Sequence, residues 1–555
     1  MSAFTPKLLS TLREGYSLKT LRADALAGLT VAIVALPLAM ALGIASGASP
    51  DKGLITAVVA GLLISALGGS RLQIGGPTGA FVVVVFNIIA GHGYHGLVVA
   101  TLMAGLILII AGYAKLGQLI KFIPHPVVTG FTAGIAVIIA TSQVKDFLGL
   151  SMTQVPADFL DKCLAYAQAI GSVQPAAVAI GLGALLLIVV LRQRAPRLPG
   201  FLIAIVSAAL IVAVFKLPVE TVGSRFPDMP AGLPMPSWPG ISFALVKEML
   251  PSAFTIAFLA GIEALLSAVV ADGMAGTRHR SNQELVGQGV ANVASALFGG
   301  LPATGAIART ATNIKAGAKT PVAGILHALF LLLFILFATD LMAYVPMAAL
   351  AAILFVVAWG MSEYERFIAL LSMPNSDRAV LLLTFGLTVF VDLTVAIAVG
   401  VTVASLLFMA RMSETVRIDS GQSGAGDGDL PDDAASQRDD LPKGVEVFRI
   451  TGPFFFGVAG ELLDALRRVG QSPKIIILRM RLVPMLDASG VSGVESFVRQ
   501  AGQSGAAVII SGAQPQAKAM LARGGLDERH PGLYFTEDYD SAIQKARGLL
   551  DEART

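Results

Sequence analysis

The chain contains 555 residues, of which 55% are hydrophobic and only 14% are charged. Because a soluble domain carries about 25% charged residues, this composition excludes a single soluble core and indicates a membrane protein. The net charge of +3 does not favour nucleic-acid binding, and the single cysteine, Cys163, excludes a disulfide framework and a cysteine-based metal site.

Runs of apolar residues predict fourteen membrane spans after a cytoplasmic segment, residues 1–24. Fourteen spans divide into two sets of seven, about 25–215 and 252–411. An odd number in each half makes the second half enter the membrane from the opposite side, as in an inverted-topology repeat. The predicted spans are residues 25–46, 53–69, 78–91, 96–114, 125–143, 173–191, 200–215, 252–271, 286–298, 305–317, 321–338, 345–360, 378–391 and 393–411.

The positions of basic residues support this topology. With a cytoplasmic N-terminus, basic residues cluster in the cytoplasmic loops, as the positive-inside rule requires. These residues are Lys115, Lys121, Arg192, Arg194, Arg197, Arg278, Arg280, Arg366, Arg378 and Arg411.

Two glycine-rich segments interrupt the apolar pattern and resemble each other. Gly75–Phe81 reads GGPTGAF, and Gly299–Ile307 reads GGLPATGAI. Glycine and proline break helices, and broken backbone is tolerated inside a bilayer only where it is buried around a cavity. Interrupted spans at corresponding places in two halves therefore predict a substrate site near the midplane. Close helix packing through small residues is the alternative.

The third and tenth spans are predicted to be half-helices whose N-termini point at each other. Each terminus carries about half a positive charge, so the amides of residues 78–81 and 306–309 predict an anion site. Arg309 adds a charge that can grip a carboxylate, unless it reaches the surface or pairs with a buried acid. Thr78 either donates to the substrate or caps its half-helix. Pro37 either shapes a cavity wall or only kinks the first span.

Glu263 is a second ionisable residue inside a predicted span. Burial favours the neutral form of a carboxyl group, which suits a residue that carries a coupling proton. A fixed salt bridge to Arg309 is the alternative. Asp272 and Glu284 lie near predicted cytoplasmic ends, where we expect them to face water or to pair with Arg278 and Arg280.

The composition changes after the last span. Residues 412–443 are rich in Gly, Asp and Ser and predict a flexible acidic linker. Residues 444–555 alternate between strand and helix patterns and predict a small cytoplasmic α/β domain. Within this domain we expect Ser489 at a helix start, since serine is a strong N-cap, and Asp487 also suits a helix beginning.

This order of parts resembles the SulP family of anion transporters, called solute carrier family 26 in animals, with its C-terminal STAS domain. The most specific similarity lies in Ile262–Gly273 and Thr277–Gly289. The resemblance implies a core domain that carries the site, a gate domain against which the core moves, and a homodimer.

Within the family, Pro37–Leu42 is most similar to the C4-dicarboxylate transporters. Many other members have glutamine and tyrosine where this chain has Leu38 and Leu42. Members that look sodium-coupled pair an aspartate with a threonine where this chain has Glu263 and Ile307. These differences favour dicarboxylates over sulfate or bicarbonate, and protons over sodium.

The sequence therefore predicts a secondary active transporter of a bacterial cytoplasmic membrane, with both termini cytoplasmic and no enzyme activity, cofactor or metal. The expected transport is proton-coupled uptake of C4-dicarboxylates such as succinate, fumarate or aspartate. Transport or exchange of bicarbonate, sulfate or chloride is one alternative, and a passive anion channel is another. We expect a cytoplasmic protein partner at the STAS domain. The expected substrate-binding residues are Pro37, Leu38, Thr78, Gly79, Ala80, Phe81, Ala306, Ile307, Ala308 and Arg309, with Glu263 as the proton carrier.

Overall fold

The computed structural model describes residues 4–118, 124–152, 155–156, 158–195, 198–227, 232–391, 393–420, 441–467, 473–527 and 529–552. The chain divides into two compact units, Met1–Ala404 and Ser405–Thr555. Residues 421–440 of the predicted linker lie outside the described residues, as do Lys121 and Arg197 of the predicted cytoplasmic loops.

The first unit is built almost entirely of helices. In the described part of the chain, eight helices are long and apolar enough to cross a membrane, and two shorter apolar helices accompany them. The helices are α1 (Lys7–Arg13), α2 (Leu18–Ala45), α3 (Pro50–Leu67), α4 (Val82–Tyr113), α5 (His125–Leu148), α6 (Phe159–Ala169), α7 (Pro175–Arg194), α8 (Gly200–Phe215), α9 (Val222–Arg225), α10 (Phe243–Ala275), α11 (Ser281–Leu297), α12 (Ile307–Lys315), α13 (Val322–Met342), α14 (Met347–Met361), α15 (Tyr364–Leu371), α16 (Asn375–Phe390) and α17 (Leu393–Glu414).

Each predicted span overlaps one of these helices, but the helices differ from the prediction in several details. The third and fourth predicted spans are continuous in α4, and only Gly93, with φ 68°, has non-helical backbone between them. Glycine adopts this angle without steric cost, so a single residue replaces the expected loop. Pro37 does not interrupt the first span, because α2 continues through it. The short helices α6 and α15 were not predicted, since neither is long enough to span.

The helices of the first unit pack as two bundles. The ribbon bundle contains α2–α4 and α10–α13, together with a two-stranded antiparallel ribbon of β1 (Gly75–Gly76) and β2 (Thr304–Gly305). The flanking bundle contains α5, α7, α8, α14 and α16. Both α8 and α14 also contact α2, so one apolar core extends through the two bundles.

Glycines bring the helices of the ribbon bundle into close backbone contact. A Cβ on Gly53 of α3 would overlap the carbonyl oxygen of Ala39 in α2. Between α4 and α11, a Cβ on Gly105 would lie 2.7 Å from the Gly289 carbonyl oxygen, and one on Gly289 would lie 2.5 Å from the Gly105 carbonyl oxygen. Small residues at such crossings are typical of helix packing in membranes.

The described part of the second unit contains one sheet with strand order β3-β4-β5-β6-β7. β3 pairs antiparallel with β4, and the remaining pairs are parallel. The strands are β3 (Arg417–Ser420), β4 (Val445–Thr451), β5 (Ile475–Leu482), β6 (Ala507–Ser511) and β7 (Leu533–Thr536); the helices are α18 (Ala459–Arg467), α19 (Ala488–Gln503), α20 (Pro515–Arg523) and α21 (Tyr539–Glu552).

Helices cover both faces of this sheet, because the central strands alternate their apolar side chains between two cores. Phe448 of β4 and Leu478 of β5 pack with α18, α19 and α20, whereas Val447 and Ile477 pack with α21. The predicted small α/β domain is therefore present as a helix-covered sheet.

The residue that caps α19 differs from the prediction. The Asp487 side chain accepts a 2.7 Å hydrogen bond from the Gly490 N–H, so Asp487 is the N-cap. Ser489 lies one residue inside the helix and is exposed. The predicted helix start is confirmed, with Ser489 in its first turn, but the N-cap is Asp487, because aspartate and serine are equally good N-caps and lie two positions apart.

We predict that Gly53→Ala destabilises the protein by about 1–3 kcal/mol or more, because the added methyl group forces α2 and α3 apart. Thermal unfolding of the detergent-solubilised protein measures the effect. Gly183→Ala on α7 is the matched control, since nothing lies within 4 Å of its added Cβ. Equal unfolding temperatures for the two variants would contradict the close α2–α3 contact.

Candidate functional site

The two glycine-rich segments meet in the middle of the ribbon bundle. Gly75 pairs with Gly305 and Gly76 pairs with Thr304 in the ribbon of β1 and β2. A short 3-10 turn, Gly79–Phe81, follows β1 and leads into α4, while α12 begins directly after β2. The ribbon therefore joins the two segments that lead into these helices.

Side chains from neighbouring helices satisfy the backbone around the ribbon. The Ile74 carbonyl accepts from the Ala306 N–H at 2.8 Å, and the Ile74 N–H donates to the Thr310 hydroxyl at 3.0 Å. Asn292 of α11 donates to the Ala303 carbonyl and accepts from the Ala303 N–H, each at 2.8 Å. The Thr304 hydroxyl donates to the Ala260 carbonyl at 2.8 Å. These bonds replace the water that a bilayer interior does not supply.

Both helix starts carry amides that no side chain caps. The N-cap residues Thr78 and Ala306 make no side-chain cap hydrogen bond. In α12 the first intrahelical bond runs from the Thr310 N–H to the Ala306 carbonyl, so the amides of residues 307–309 precede it. In the first segment the amides of Gly79 and Ala80 precede the bond from the Phe81 N–H to the Thr78 carbonyl. Free amides at helix N-termini favour a bound anion.

The predicted site residues differ in their exposure. Thr78 and Glu263 are half-buried, Ile307 is 39% exposed, and Ala308 is exposed. The other predicted residues are buried, and a Cβ on Gly79 would contact Met361 of α14 and Ile139 of α5 in the flanking bundle. The buried predicted residues are Pro37, Leu38, Gly79, Ala80, Phe81, Ala306 and Arg309.

Arg309 is 3% exposed and does not reach the surface. Its Nη2 donates to the Pro77 carbonyl just before the first helix start, while Nε and Nη1 have no hydrogen-bond partner. Nη1 lies against Gly76, where a Cβ would be 2.6 Å away. Within the described residues no carboxylate lies within 4.0 Å of its guanidinium, so the predicted alternative of a salt bridge to Glu263 is absent.

Glu263 forms a hydrogen bond with Thr78, another predicted residue of the site. The Thr78 hydroxyl donates to Glu263 Oε2 at 2.8 Å. This contact joins α10 to the first helix start, and it explains why the Thr78 side chain does not cap that helix. The Glu263 carboxyl group and the Arg309 guanidinium interact electrostatically without an ion pair.

Two carboxylates that were expected near water instead hold loops of the ribbon bundle. Glu284 is fully buried, and its Oε2 accepts from the amides of Gly69 and Ser70 at 2.7 and 2.9 Å. Asp272 accepts from the Thr277 hydroxyl and from both the amide and ring nitrogen of His279. Neither expectation of pairing with Arg278 or Arg280 holds, because nearer amides and a histidine take these positions.

The sequence reasoning missed the polar residues that support the ribbon. Asn292, Thr304 and Thr310 are fully buried, and Asn292 and Thr310 lie in predicted spans. Gln73 lies against Gly305, and neither of its amide atoms has a hydrogen-bond partner in the described residues. A polar residue inside an apolar span is itself a signal of function, and it could have identified Asn292 and Thr310.

The chemistry of this site suits an anion. Donor groups dominate it: free amides at two helix starts and two unpartnered guanidinium nitrogens. In the described residues no group of three or more histidine, cysteine, aspartate or glutamate side chains is placed to hold a metal ion. An anion would complete the hydrogen bonding of the two helix starts.

We predict that Asn292→Ala lowers the free energy of unfolding by about 1–3 kcal/mol or more, because both backbone groups of Ala303 lose their partner. Thermal unfolding in detergent measures the loss. Asn375→Ala is the control, since Asn375 is exposed and, among the described residues, its side chain bonds only with Arg378 in the first turn of α16. An Asn292 variant as stable as this control would show that the ribbon does not depend on the amide.

Comparison with known proteins places the two units in known families. The profile of the Sulfate permease family matches residues 21–384, and that of the STAS domain matches residues 439–538. The Bacillus subtilis protein named "Putative sulfate transporter YvdB" is 40% identical over 529 residues, which is 95% of this chain and 98% of that one. The bicarbonate transporter BicA of Picosynechococcus sp. is 32% identical over 527 residues, or 92% of each chain.

Solved structures agree with this assignment. The transmembrane domain of a cyanobacterial BicA matches with a TM-score of 0.62 at 32% identity, covering 70% of this chain and 98% of that one. The murine anion transporter Slc26a9 shares the fold, with a TM-score of 0.86 over 98% of this chain and 94% of that one, at 18% identity. The chain belongs to the sulfate permease family, and it is a multi-pass membrane transporter of anions with a C-terminal STAS domain, not an enzyme.

Proposed function

We propose that this transporter takes up small C4-dicarboxylates, such as succinate, fumarate or aspartate, together with protons across a bacterial cytoplasmic membrane. The observation that carries the proposal is the meeting of two uncapped helix starts at one ribbon. Each start offers one position for a negative group, so an anion with two acidic ends fits better than one with a single charge.

The surroundings of the second helix start support an organic substrate. Ile307 and Ala308 expose apolar side chains beside the free amides of α12. A bicarbonate ion has no hydrocarbon surface to place there. The two central carbons of a C4-dicarboxylate would bury against these side chains while each carboxylate met a helix start.

Glu263 is proposed as the proton carrier. It lies in α10, half-buried, and its hydrogen bond from Thr78 joins it to the first helix start. A protonated Glu263 would add no negative charge beside the bound dianion, and its deprotonation on the other side of the membrane would repel the substrate. The bond also gives the coupling a route, because a change at Glu263 acts directly on the segment that binds the anion.

Arg309 is proposed to act from behind the ribbon. Its guanidinium bonds the Pro77 carbonyl and lies against Gly76, so its charge is close to the first helix start although the side chain is buried. A fixed positive charge there would strengthen the field of both helix starts. A grip on the substrate would require Arg309 to turn away from Pro77.

We further propose that the ribbon bundle moves as one body past the flanking bundle and carries the site across the membrane. Gly79 contacts Met361 and Ile139 of the flanking bundle, so these residues would shield one side of the site. The proposed topology has fourteen spans in a 7+7 inverted repeat, cytoplasmic termini and a homodimer, with a STAS domain that receives a cytoplasmic partner.

Two alternatives remain candidates. Transport of sulfate or bicarbonate is favoured by the names of the relatives, a sulfate transporter and a bicarbonate transporter. A passive anion channel would use the same electropositive site without a coupled proton. A proton-coupled carrier and a channel can be told apart by one measurement, because a channel cannot accumulate its anion against a gradient.

Uptake by proteoliposomes tests the proposal. Labelled succinate, sulfate and bicarbonate are compared with and without an imposed pH gradient, and we expect the gradient to drive succinate accumulation. Glu263→Gln should abolish this accumulation while exchange of succinate down its gradient continues, because glutamine cannot bind and release a proton. Faster uptake of sulfate or bicarbonate than of succinate would show that the proposed substrate is wrong. Accumulation of succinate against its gradient by Glu263→Gln would refute the role of Glu263 as proton carrier.

Glu248→Gln is the matched control for Glu263→Gln. Glu248 lies on the same helix, but its side chain is 59% exposed and pairs with His92. This variant should accumulate succinate like the unmodified protein. A loss of accumulation in both variants would point to damage of α10 and not to a proton site.

We predict that Arg309→Ala weakens anion binding by about tenfold or more, the effect of losing one charged partner. Arg309→Lys keeps the charge and should restore much of the affinity. Calorimetry with the purified protein measures both, with the exposed Arg366→Ala as control. If Arg309→Ala binds the anion as tightly as the unmodified protein, or if Arg309→Lys binds it as weakly as Arg309→Ala, the charge of Arg309 does not contribute to anion binding.

A further inference from the structure

A cavity of about 490 Å³ lies between the ribbon bundle and the flanking bundle. Its lining comes from α2 and α4 on one side and from α5 and α16 on the other, with α6 across it. The lining residues do not include Thr78, Glu263 or Arg309, although Val82 and Val83 of the lining directly follow the site residue Phe81. A volume of several hundred cubic ångströms is typical of sites for organic ligands.

Most of the cavity wall is apolar. Phe86 of α4 and Ile44 of α2 belong to the ribbon bundle, and Ile138 of α5 and Phe390 of α16 belong to the flanking bundle. Phe159 of α6 packs edge-on against Phe390, with ring centroids 5.7 Å apart. An occupant would therefore need an apolar body.

Among the described residues, the charged groups of the lining leave one cation, Lys162, without a partner. Arg225 pairs with Asp146 at 2.7 Å, and the Lys145 ammonium donates to the Met152 carbonyl at 3.3 Å. Within the described residues, the Lys162 ammonium makes no hydrogen bond, and no carboxylate lies within 4.0 Å of it, including that of the nearby Asp158. Two of the three cations are thus satisfied by the protein, and Lys162 is not.

Lys162 is buried yet faces the cavity. The residue is only 4% exposed, and its ammonium lies 5.3 Å from the centre of the Phe86 ring. Burial lowers the pKa of the Lys162 ammonium, because the charged form loses its water. A ring face recovers part of this loss, and an acidic group of a ligand would recover more.

We propose that this cavity binds an organic anion that has an apolar body, with Lys162 pairing with its acidic group. The occupant would contact Phe86 and Ile44 of one bundle and Ile138 and Phe390 of the other. It would hold the two bundles together. This consequence rests on the proposed function, in which the bundles move past each other, whereas binding itself does not depend on it. The expected result of binding is inhibition that additional substrate does not relieve.

The test uses 2-naphthoate as the anion and 2-naphthamide as its neutral analogue. Calorimetry with the purified full chain in detergent should show naphthoate binding about tenfold or more tighter than naphthamide. Lys162→Gln should remove this difference, and Lys162→Arg should keep it. Lys247→Gln, an exposed lysine on α10, is the control and should bind like the unmodified protein.

Three results would overturn the proposal. They are equal affinity for naphthoate and naphthamide, unchanged naphthoate binding in Lys162→Gln, and competition of naphthoate with succinate, sulfate or bicarbonate that is lost in Arg309→Ala. The last result would place naphthoate at the ribbon. Because calorimetry needs no transport, naphthoate binding tests the cavity even if the proposed substrate is wrong. Naphthoate that binds through Lys162 but leaves uptake unchanged would refute the clamping of the bundles.

Discussion

The pairing of four residues in the β1–β2 ribbon is the constraint on which the site depends. Backbone that leaves the helical path inside a bilayer must find hydrogen-bond partners in the protein. The ribbon supplies them for the two breaks at once, since each break is the partner of the other. Side chains of Asn292 and Thr310 satisfy groups that remain at Ala303 and Ile74, and the Thr304 hydroxyl ties the ribbon to the Ala260 carbonyl of α10. As a result, two helices can begin within the apolar core with amides still free for a ligand.

The polar contacts of the ribbon bundle connect the two halves of the chain. Thr78 reaches Glu263, Arg309 reaches Pro77, and Glu284 holds the amides of Gly69 and Ser70. Asp24 of α2 likewise accepts from the amides of Lys319 and Thr320. Together with the close glycine contacts of α2 with α3 and α4 with α11, these bonds make the ribbon bundle a firmly joined body. They support the idea that the bundle moves as a unit.

Much of this fold is readable from the sequence because its signals are local. Long apolar runs predict the helices, and the glycines and prolines of the two segments predict where helices break. Local patterns do not identify partners that are distant in the chain. Arg309 and Pro77 are 232 residues apart, and nothing near either residue indicates their contact. For that reason, the prediction that Arg309 binds the substrate did not anticipate its hydrogen bond to the Pro77 carbonyl. Lys162 escaped notice because α6 is too short to resemble a span.

The ribbon also fixes how far apart the two helix starts can be. Because β1 and β2 run antiparallel, the two helices leave the ribbon at opposite ends, and their separation is held by backbone hydrogen bonds that no side-chain change alters. Two electropositive points held at a constant distance favour a molecule whose two charged ends are separated by a matching distance. Such a site would reject a homologue of the right charge but the wrong length. For the diacids proposed as substrates, chain length, and not charge alone, would then decide which ones bind.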